Sequence, residues 1–210
     1  FLPRSGDQFL TLAPNQDNLA PEKFSNYEIG AKWDIRPDLS VTLALFQLDR
    51  TNITVVDPAD PLNSLLLPAT RTKGAELALT GRILPQWQVS GGYSYQDAYR
   101  SDDSSITLAQ VPKHQASLWN RYDFSEKFGA GLGVIHQSSQ FAAIRTTPVA
   151  ATRLPSFTRV DAAVFYDFSD AVQLQLNVEN LFDTAYFSDA HNNNNISTGA
   201  PINGRATVRV

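Results

Sequence analysis

The chain has 210 residues and a net charge of −4, from 17 basic and 21 acidic residues. Its basic residues are scattered, which excludes the clustered footprint of a nucleic-acid surface, and the absence of Cys excludes disulfide frameworks, thiolate metal sites and thiol catalysis. No apolar run approaches the length of a transmembrane helix, and 42% hydrophobic residues fit a soluble protein and a membrane β-barrel equally well, so pattern must decide.

In chain order, Tyr27, Ile29, Ala31, Trp33 and Ile35 fall on one face, and Glu28, Gly30, Lys32 and Asp34 on the other. Strict period two with one apolar face predicts an amphipathic strand. Leu39 to Leu48 alternates at first, then carries Phe46 and Leu48 on its second face. Ala75, Leu77, Leu79 and Gly81 oppose Glu76, Ala78 and Thr80. Trp87, Val89, Gly91, Tyr93 and Tyr95 oppose Gln88, Ser90, Gly92, Ser94 and Gln96. His114 to Phe124 sets Asn120 among Ala116, Leu118, Tyr122 and Phe124. Gly129, Gly131 and Gly133 alternate with Ala130, Leu132 and Val134, which reads as a strand strip without side chains, open to close approach by another backbone. Val160 to Phe168 and Val172 to Glu179 repeat the alternation. In all, about nine strands are expected, near 22–35, 39–56, 67–83, 87–100, 108–124, 128–141, 155–168, 172–187 and 201–210.

The connections alternate too. Arg36-Pro37-Asp38, Leu84-Pro85-Gln86, Ser125-Glu126-Lys127 and Ser169-Asp170-Ala171 read as tight turns. Longer polar loops are expected near 57–66, 101–107, 144–154 and 188–200. Outer-membrane barrels have short periplasmic turns and long extracellular loops, an order that runs the last strand down to the periplasm. Trp33, Trp87, Tyr122, Phe124, Phe128, Tyr166 and Phe168 fall near short turns; Tyr93, Tyr95, Phe182, Tyr186 and Phe187 fall toward long loops. Two such girdles mark two membrane interfaces. Strands of roughly 9 to 17 residues exceed the soluble mode of about 5–6. The expected fold class is all-β, a transmembrane antiparallel up-and-down barrel. Nine strands cannot close one, since single-chain bacterial barrels have even numbers and an open edge is not tolerated in hydrocarbon. Residues 1–210 therefore read as the C-terminal part of a larger barrel domain, with 1–21 a loop following an earlier strand.

Several motifs resemble those of TonB-dependent outer-membrane receptors. Asn180-Leu181-Phe182-Asp183-Thr184-Ala185-Tyr186 is similar to the family's C-terminal NLFD segment. Pro21-Glu22-Lys23 with Tyr27-Glu28-Ile29-Gly30-Ala31-Lys32, Thr72-Lys73-Gly74-Ala75-Glu76-Leu77, Val111-Pro112-Lys113-His114 and Leu154-Pro155-Ser156-Phe157-Thr158-Arg159-Val160-Asp161 also resemble family segments, in family order. The resemblance implies a 22-stranded barrel around an N-terminal plug, energised through the TonB complex and importing a scarce ligand, usually a ferric siderophore. His191-Asn192-Asn193-Asn194-Asn195 with Gly199-Ala200-Pro201 resembles the last loop of catecholate-type siderophore receptors. Plug and TonB-coupling segment do not occur in these 210 residues, and Val210 stands where the family usually ends on an aromatic residue.

No catalytic constellation stands out, no metal-ligand spacing links His114, His136 and His191, and no covalently bound cofactor is expected. A lone strand histidine reads as a structural or lumen residue. Ferric siderophores are commonly anionic, so Arg50, Arg71, Arg100, Arg145 and Arg153, all near long-loop ends, are the ligand-contact candidates. Their plainer role is a solvated rim or contact with lipopolysaccharide phosphates. Glu28, Lys32, Asp34, Glu76, Asp161 and Glu179 are expected to face a plug in the lumen. The competing readings are a passive porin or other outer-membrane barrel without a plug, of structural or adhesive function, and a soluble β-sandwich binding module. The expected location is the bacterial outer membrane, with its lipid and lipopolysaccharide, the plug and the TonB complex as partners.

Overall fold

The structure, a computed structural model, describes residues 20–56, 62, 64–143, 151–191 and 193–210. Its strands are β1 (Lys23–Arg36), β2 (Leu39–Thr51), β3 (Ile53–Val56), β4 (Ser64–Leu67), β5 (Thr70–Leu84), β6 (Trp87–Arg100), β7 (His114–Asp123), β8 (Phe128–Gln137), β9 (Gln140–Phe141), β10 (Arg153–Leu154), β11 (Phe157–Ser169), β12 (Val172–Glu179), β13 (Phe187–Ala190), β14 (Ile196–Thr198) and β15 (Asn203–Arg209). Nine of them form one antiparallel sheet in the order β1-β2-β5-β6-β7-β8-β11-β12-β15, an up-and-down meander with β1 and β15 at its ends. The other six form three two-stranded ribbons, β3 with β4, β9 with β10 and β13 with β14, each inside a long connection.

Register fixes the faces, because directly opposed residues in an antiparallel pair point the same way. One row runs Ile29, Leu45, Ala75, Tyr95 and His114. The next runs Ala31, Leu43, Leu77, Tyr93, Ala116 and His136. Further down, Tyr122, Ala130, Val164, Leu176 and Ala206 line up. This is a continuous apolar face, and its large side chains are exposed: Ile29 is 73% accessible and Trp33 68%. A soluble sandwich would bury such a face in its core. Among the described residues the only cluster of buried apolar side chains is small and lies in the long connections, where Ala142, Leu154 and Ala190 meet Ile196.

Asn120, polar on the apolar face, accepts a hydrogen bond from Trp87 Nε1 at 3.3 Å, which satisfies its oxygen. Aromatic rings mark the short-turn end of this face: Tyr122, Phe124 and Phe128 form a chain with centroids 5.0 and 5.5 Å apart, and Tyr166 meets Phe168 edge-on at 4.8 Å. The two strand histidines belong to this face as well, not to the opposite one. His114 Nδ1 lies 2.8 Å from the Tyr93 hydroxyl, and His136 Nδ1 2.8 Å from Thr158 Oγ1.

Four sequence expectations change. The strand expected over 39–56 breaks at Asn52, whose φ of 57° takes the chain out of β2 and into the β3–β4 ribbon. The strand expected over 172–187 ends at Glu179, because Asn180 and Asp183 are left-handed, with φ of 55° and 48°. The strand expected from residue 108 begins at His114, since Gln110, with φ 56°, bends the preceding chain. The glycine strip of β8 is not open space. The Trp119 indole of β7 lies across Gly131 and Gly133, where any Cβ would collide with the ring. The expected loops 57–66 and 144–154 fall largely outside the described residues.

Candidate functional site

The second face of the sheet is polar and carries a hollow of about 450 Å³. Small or neutral side chains of β2, β5, β6, β7 and β8 line it, including Ala44, Ala78, Gly92, Ser94 and Gln115, with Glu76 as its one carboxylate among the lining residues. Glu28, Lys32, Glu76, Asp161 and Glu179 all lie on this face by register, opposite Phe46, Thr42, Ser94, Gly133 and Asn203 respectively.

Many of its charges are paired two residues apart along a strand, the spacing that returns a side chain to the same face. Lys32 meets Asp34 at 3.4 Å, Arg121 meets Asp123 at 2.9 Å and Arg159 meets Asp161 at 2.9 Å. The Arg121 guanidinium also stacks over Phe165, 4.1 Å from the ring centre. The exposed pair Lys32–Asp34 contributes little stability, with a median of about 0–1 kcal/mol for such pairs, whereas Arg159 and Asp161 are largely buried; all three pairs hold long cationic side chains in place along the wall.

Toward the long connections the wall carries arginines and aromatic rings. Arg50 and Arg100 share one row with Phe24 and Thr70, two strands apart and so about 10 Å from each other. Arg50 pairs with Glu22 and covers the Phe24 ring at 5.4 Å. Arg100 is clamped by Asp102 through Nε at 3.0 Å and Nη2 at 2.5 Å. That guanidinium holds the Asp102 carboxyl below its ordinary value of 3.8, and two hydrogen bonds from Ser105 do the same for Asp103. Arg153 bridges the β9–β10 ribbon, donating to Ser139 Oγ from Nε at 3.0 Å and Nη2 at 2.5 Å. Arg145 lies outside the described residues. Arg71 departs from the expectation: it stands opposite Asp49 and Tyr99 in register with the apolar face, because it is an even number of residues from Ala75 and Leu77.

A more elaborate constellation lies where β11 and β12 meet the last long connection. Arg159 donates from Nη1 to the Tyr186 hydroxyl at 2.9 Å and from Nη2 to Asp161 at 2.9 Å. Its Nε is buried and has no partner among the described residues. Tyr186 stacks on Phe157 with centroids 4.4 Å apart, and its ring lies against Gly199, where no side chain would fit. A cleft of about 330 Å³ opens beside it, between Pro155, Ser156 and the 183–187 and 198–201 segments. Tyr186 is therefore a polar-face residue and not a member of an outward girdle.

The scaffold is Asn180, only 1% exposed. Its Nδ2 donates to the Thr184 and Ala200 carbonyls, both at 3.0 Å, and its Oδ1 accepts from Thr184 N at 2.9 Å. Asp161 Oδ1 accepts from Asn180 N at 2.8 Å, and Asp183 Oδ1 accepts from Ile202 N at 2.9 Å. A short amide that tolerates left-handed backbone and both donates and accepts suits this position.

This meander, with its exposed apolar face, polar hollow and Asn180-centred turn, coincides with a known family: the one described as TonB dependent receptor-like, beta-barrel, matches residues 1–181. The chain belongs to the TonB-dependent receptor β-barrel family. The probable TonB-dependent siderophore receptor PiuA of Acinetobacter baumannii is 31% identical over 203 residues, 89% of this chain and 26% of that protein. The catecholate siderophore receptor Fiu of Escherichia coli K12 is 32% identical over 188 residues, 82% of this chain and 23% of that protein. The solved structure of Fiu in its closed form superposes with a TM-score of 0.79 at 26% identity, covering 95% of this chain and 29% of that one. The solved PiuA structure gives 0.78 at 28% identity, covering 90% and 28%. The chain thus spans about a quarter of the length of these relatives. Family membership places it in the outer membrane.

Arg159, Arg121 and Tyr186 did not stand out from the sequence as site residues. For both arginines a signal was present: each sits two residues before an aspartate, in Arg121-Tyr122-Asp123 and Arg159-Val160-Asp161. Choosing Asp161 as inward-facing already commits Arg159 to the same face. Tyr186 carried no such signal, because its orientation depends on the turn at Asn180.

Proposed function

We propose that this chain is the C-terminal part of the barrel of a TonB-dependent transporter that imports a ferric siderophore, and that it is not an enzyme. The observation that carries the reading is the match along most of the chain, in sequence and in fold, to receptors named for siderophores. In this reading the polar face lines the lumen, the hollow around Glu76 receives the plug, and further strands between β15 and β1 close the wall to 22. The apolar face meets lipid and, at its rim, lipopolysaccharide. Short turns and the C-terminus lie on the periplasmic side, and the long connections form the extracellular mouth. Arg50, Arg100, Arg153 and Arg159, with Phe157 and Tyr186, are the mouth's anion-binding and ring-stacking groups. Coupling to the TonB complex runs through the N-terminal plug.

The test is uptake of radiolabelled iron by a receptor-null strain carrying the full-length chain, with a panel of ferric siderophores. Uptake of one siderophore that stops when TonB is deleted is the expected result. TonB-independent diffusion of small solutes with no saturable uptake indicates a passive porin and overturns the reading.

A further inference from the structure

The apolar face ends in a charged patch at the long-connection end of β2, β5 and β6. Beyond Ile29, Leu45 and Ala75 comes a row of Tyr27, Gln47, Lys73 and Asp97, and beyond that a row of Ser25, Asp49, Arg71 and Tyr99. A rise of about 3.3 Å per residue and a tilt of about 40° put these rows about 5 and 10 Å above the last aliphatic row. Arg71 grips Asp49 through Nε at 2.6 Å and Nη2 at 3.1 Å, and Gln47 donates to the same carboxylate at 3.0 Å. Lys113 Nζ meets Asp97 Oδ1 at 2.7 Å. Lys73 is exposed, stands between Gln47 and Asp97 in the first row, and has no ion pair among the described residues.

We propose that this outward patch seats a phosphate of an outer-leaflet glycolipid headgroup, with Lys73 in direct contact and Arg71 and Lys113 beside it. The inference rests on the reading of the apolar face as the lipid face. It does not depend on which ligand is imported. Orientation comes first: Lys73 and Arg71 lie on the apolar face by register, and Lys113 reaches that face through its ion pair with Asp97, so a ligand in the lumen does not meet the Lys73 and Arg71 side chains. Depth comes second. The patch begins one row above Leu45 and level with or just above the Tyr93 and Tyr95 rings, where hydrocarbon gives way to headgroups and charge becomes tolerable. Charge comes third: three cations face two carboxylates, so the patch keeps a cationic excess. Asp49 and Asp97 hold Arg71 and Lys113 against the strands and leave the Lys73 ammonium, a compact three-donor cation suited to phosphate, at the centre.

The experiment uses the full-length chain purified in detergent and titrated with bisphosphorylated lipid A, read by native mass spectrometry. Lys73→Gln weakens binding about five-fold, and Lys73→Glu combined with Lys113→Glu weakens it more than twenty-fold. Lys127→Glu, the same charge change at the short-turn end, leaves it unchanged. Folding of each variant is checked by its heat-dependent migration in gels, and Lys73→Gln carries the test where the double variant does not insert. Dephosphorylated lipid A is expected to bind wild type and Lys73→Gln alike. Equal lipid A binding by wild type and Lys73→Gln overturns the proposal, and so does displacement by millimolar inorganic phosphate, which assigns the site to free phosphate. Siderophore uptake is measured on the same variants. Wild-type uptake with lost lipid A binding supports the lipid site, whereas absent uptake with intact lipid A discrimination fails only the transport reading.

Discussion

The two ends of these strands are built by different means. At the short-turn end, β1 to β2, β5 to β6 and β11 to β12 are joined by the two-residue turns Pro37-Asp38, Pro85-Gln86 and Asp170-Ala171, each with a register shift in the strand before it. Stabilising contacts there include local ones: Ser125 Oγ accepts from Lys127 N and Phe128 N, and Ser169 Oγ accepts from Ala171 N. At the long-connection end, contacts reach across the chain. Asn180 reaches Ala200, Asp183 reaches Ile202, and Thr152 donates to Asn193 Oδ1 at 2.9 Å, linking two separate long connections. Local bonds shape each of these turns, and neighbouring turns are tied together by single long-range bonds such as Arg36 Nη2 to Ile83 O at 2.8 Å. Holding a mouth in one shape takes partners far apart in sequence.

The comparison is anchored by the strand middle, where neither device operates. Leu176 sits there on the apolar face between Val164 and Ala206, and Gln175 on the polar face between Phe165 and Thr207. Leu176→Arg is expected to cost about 2–4 kcal/mol of folding into lipid vesicles, and Gln175→Arg to stay within about 0.5 kcal/mol. Equal costs would show the two faces to be misassigned. At the mouth, Asn180→Ala removes three buried hydrogen bonds and the amide that suits a left-handed backbone. It is expected to cost about 2–3 kcal/mol by urea titration and to raise proteolysis within 180–202. At the opposite end, Ser125→Ala should cost only about 0.5–1 kcal/mol in the same titration, since its bonds are local, longer and exposed. A larger loss there than at Asn180 would reverse the contrast.

The smallest expected effect is in pH. Asp102 is held below 3.8 by Arg100, so the folded state favours its ionised form. The contribution is fully present above 3.8 and is lost as pH falls through the lowered folded value. A carboxyl titration by NMR should find the Asp102 midpoint below that of the Arg100→Gln variant; coincident midpoints would show that the clamp does not operate in solution.

Much of the fold was legible because alternation is a local property. The face assignments of Glu28, Lys32, Glu76, Asp161 and Glu179 follow from parity alone, given one apolar neighbour on each strand. Parity also held the orientation of Arg71, which nearness to a long loop obscured: an even number of residues from Leu77 puts it on the apolar face. What parity does not carry is the third dimension above the sheet. The gap at Gly131 and Gly133 reads as open space in one strand and is filled by Trp119 from the next. The strand expected to run on past Glu179 stops at Asn180-Leu181-Phe182-Asp183, where Asn180 and Asp183 are left-handed and Asn180 makes buried bonds to Thr184 and Ala200 that no strand pairing would supply.

The sequence by itself determined the strands, their amphipathic faces, the alternation of short and long connections, and the paired charges two residues apart. All of these depend on neighbours within a few residues along an extended chain. Only the tertiary structure decided that Tyr186 turns onto Phe157 and Arg159, that Trp119 closes the glycine strip, and that Lys113 reaches Asp97 beside Lys73. Each of those depends on which strand lies beside which, and in what register, and that is set by pairing across the whole sheet.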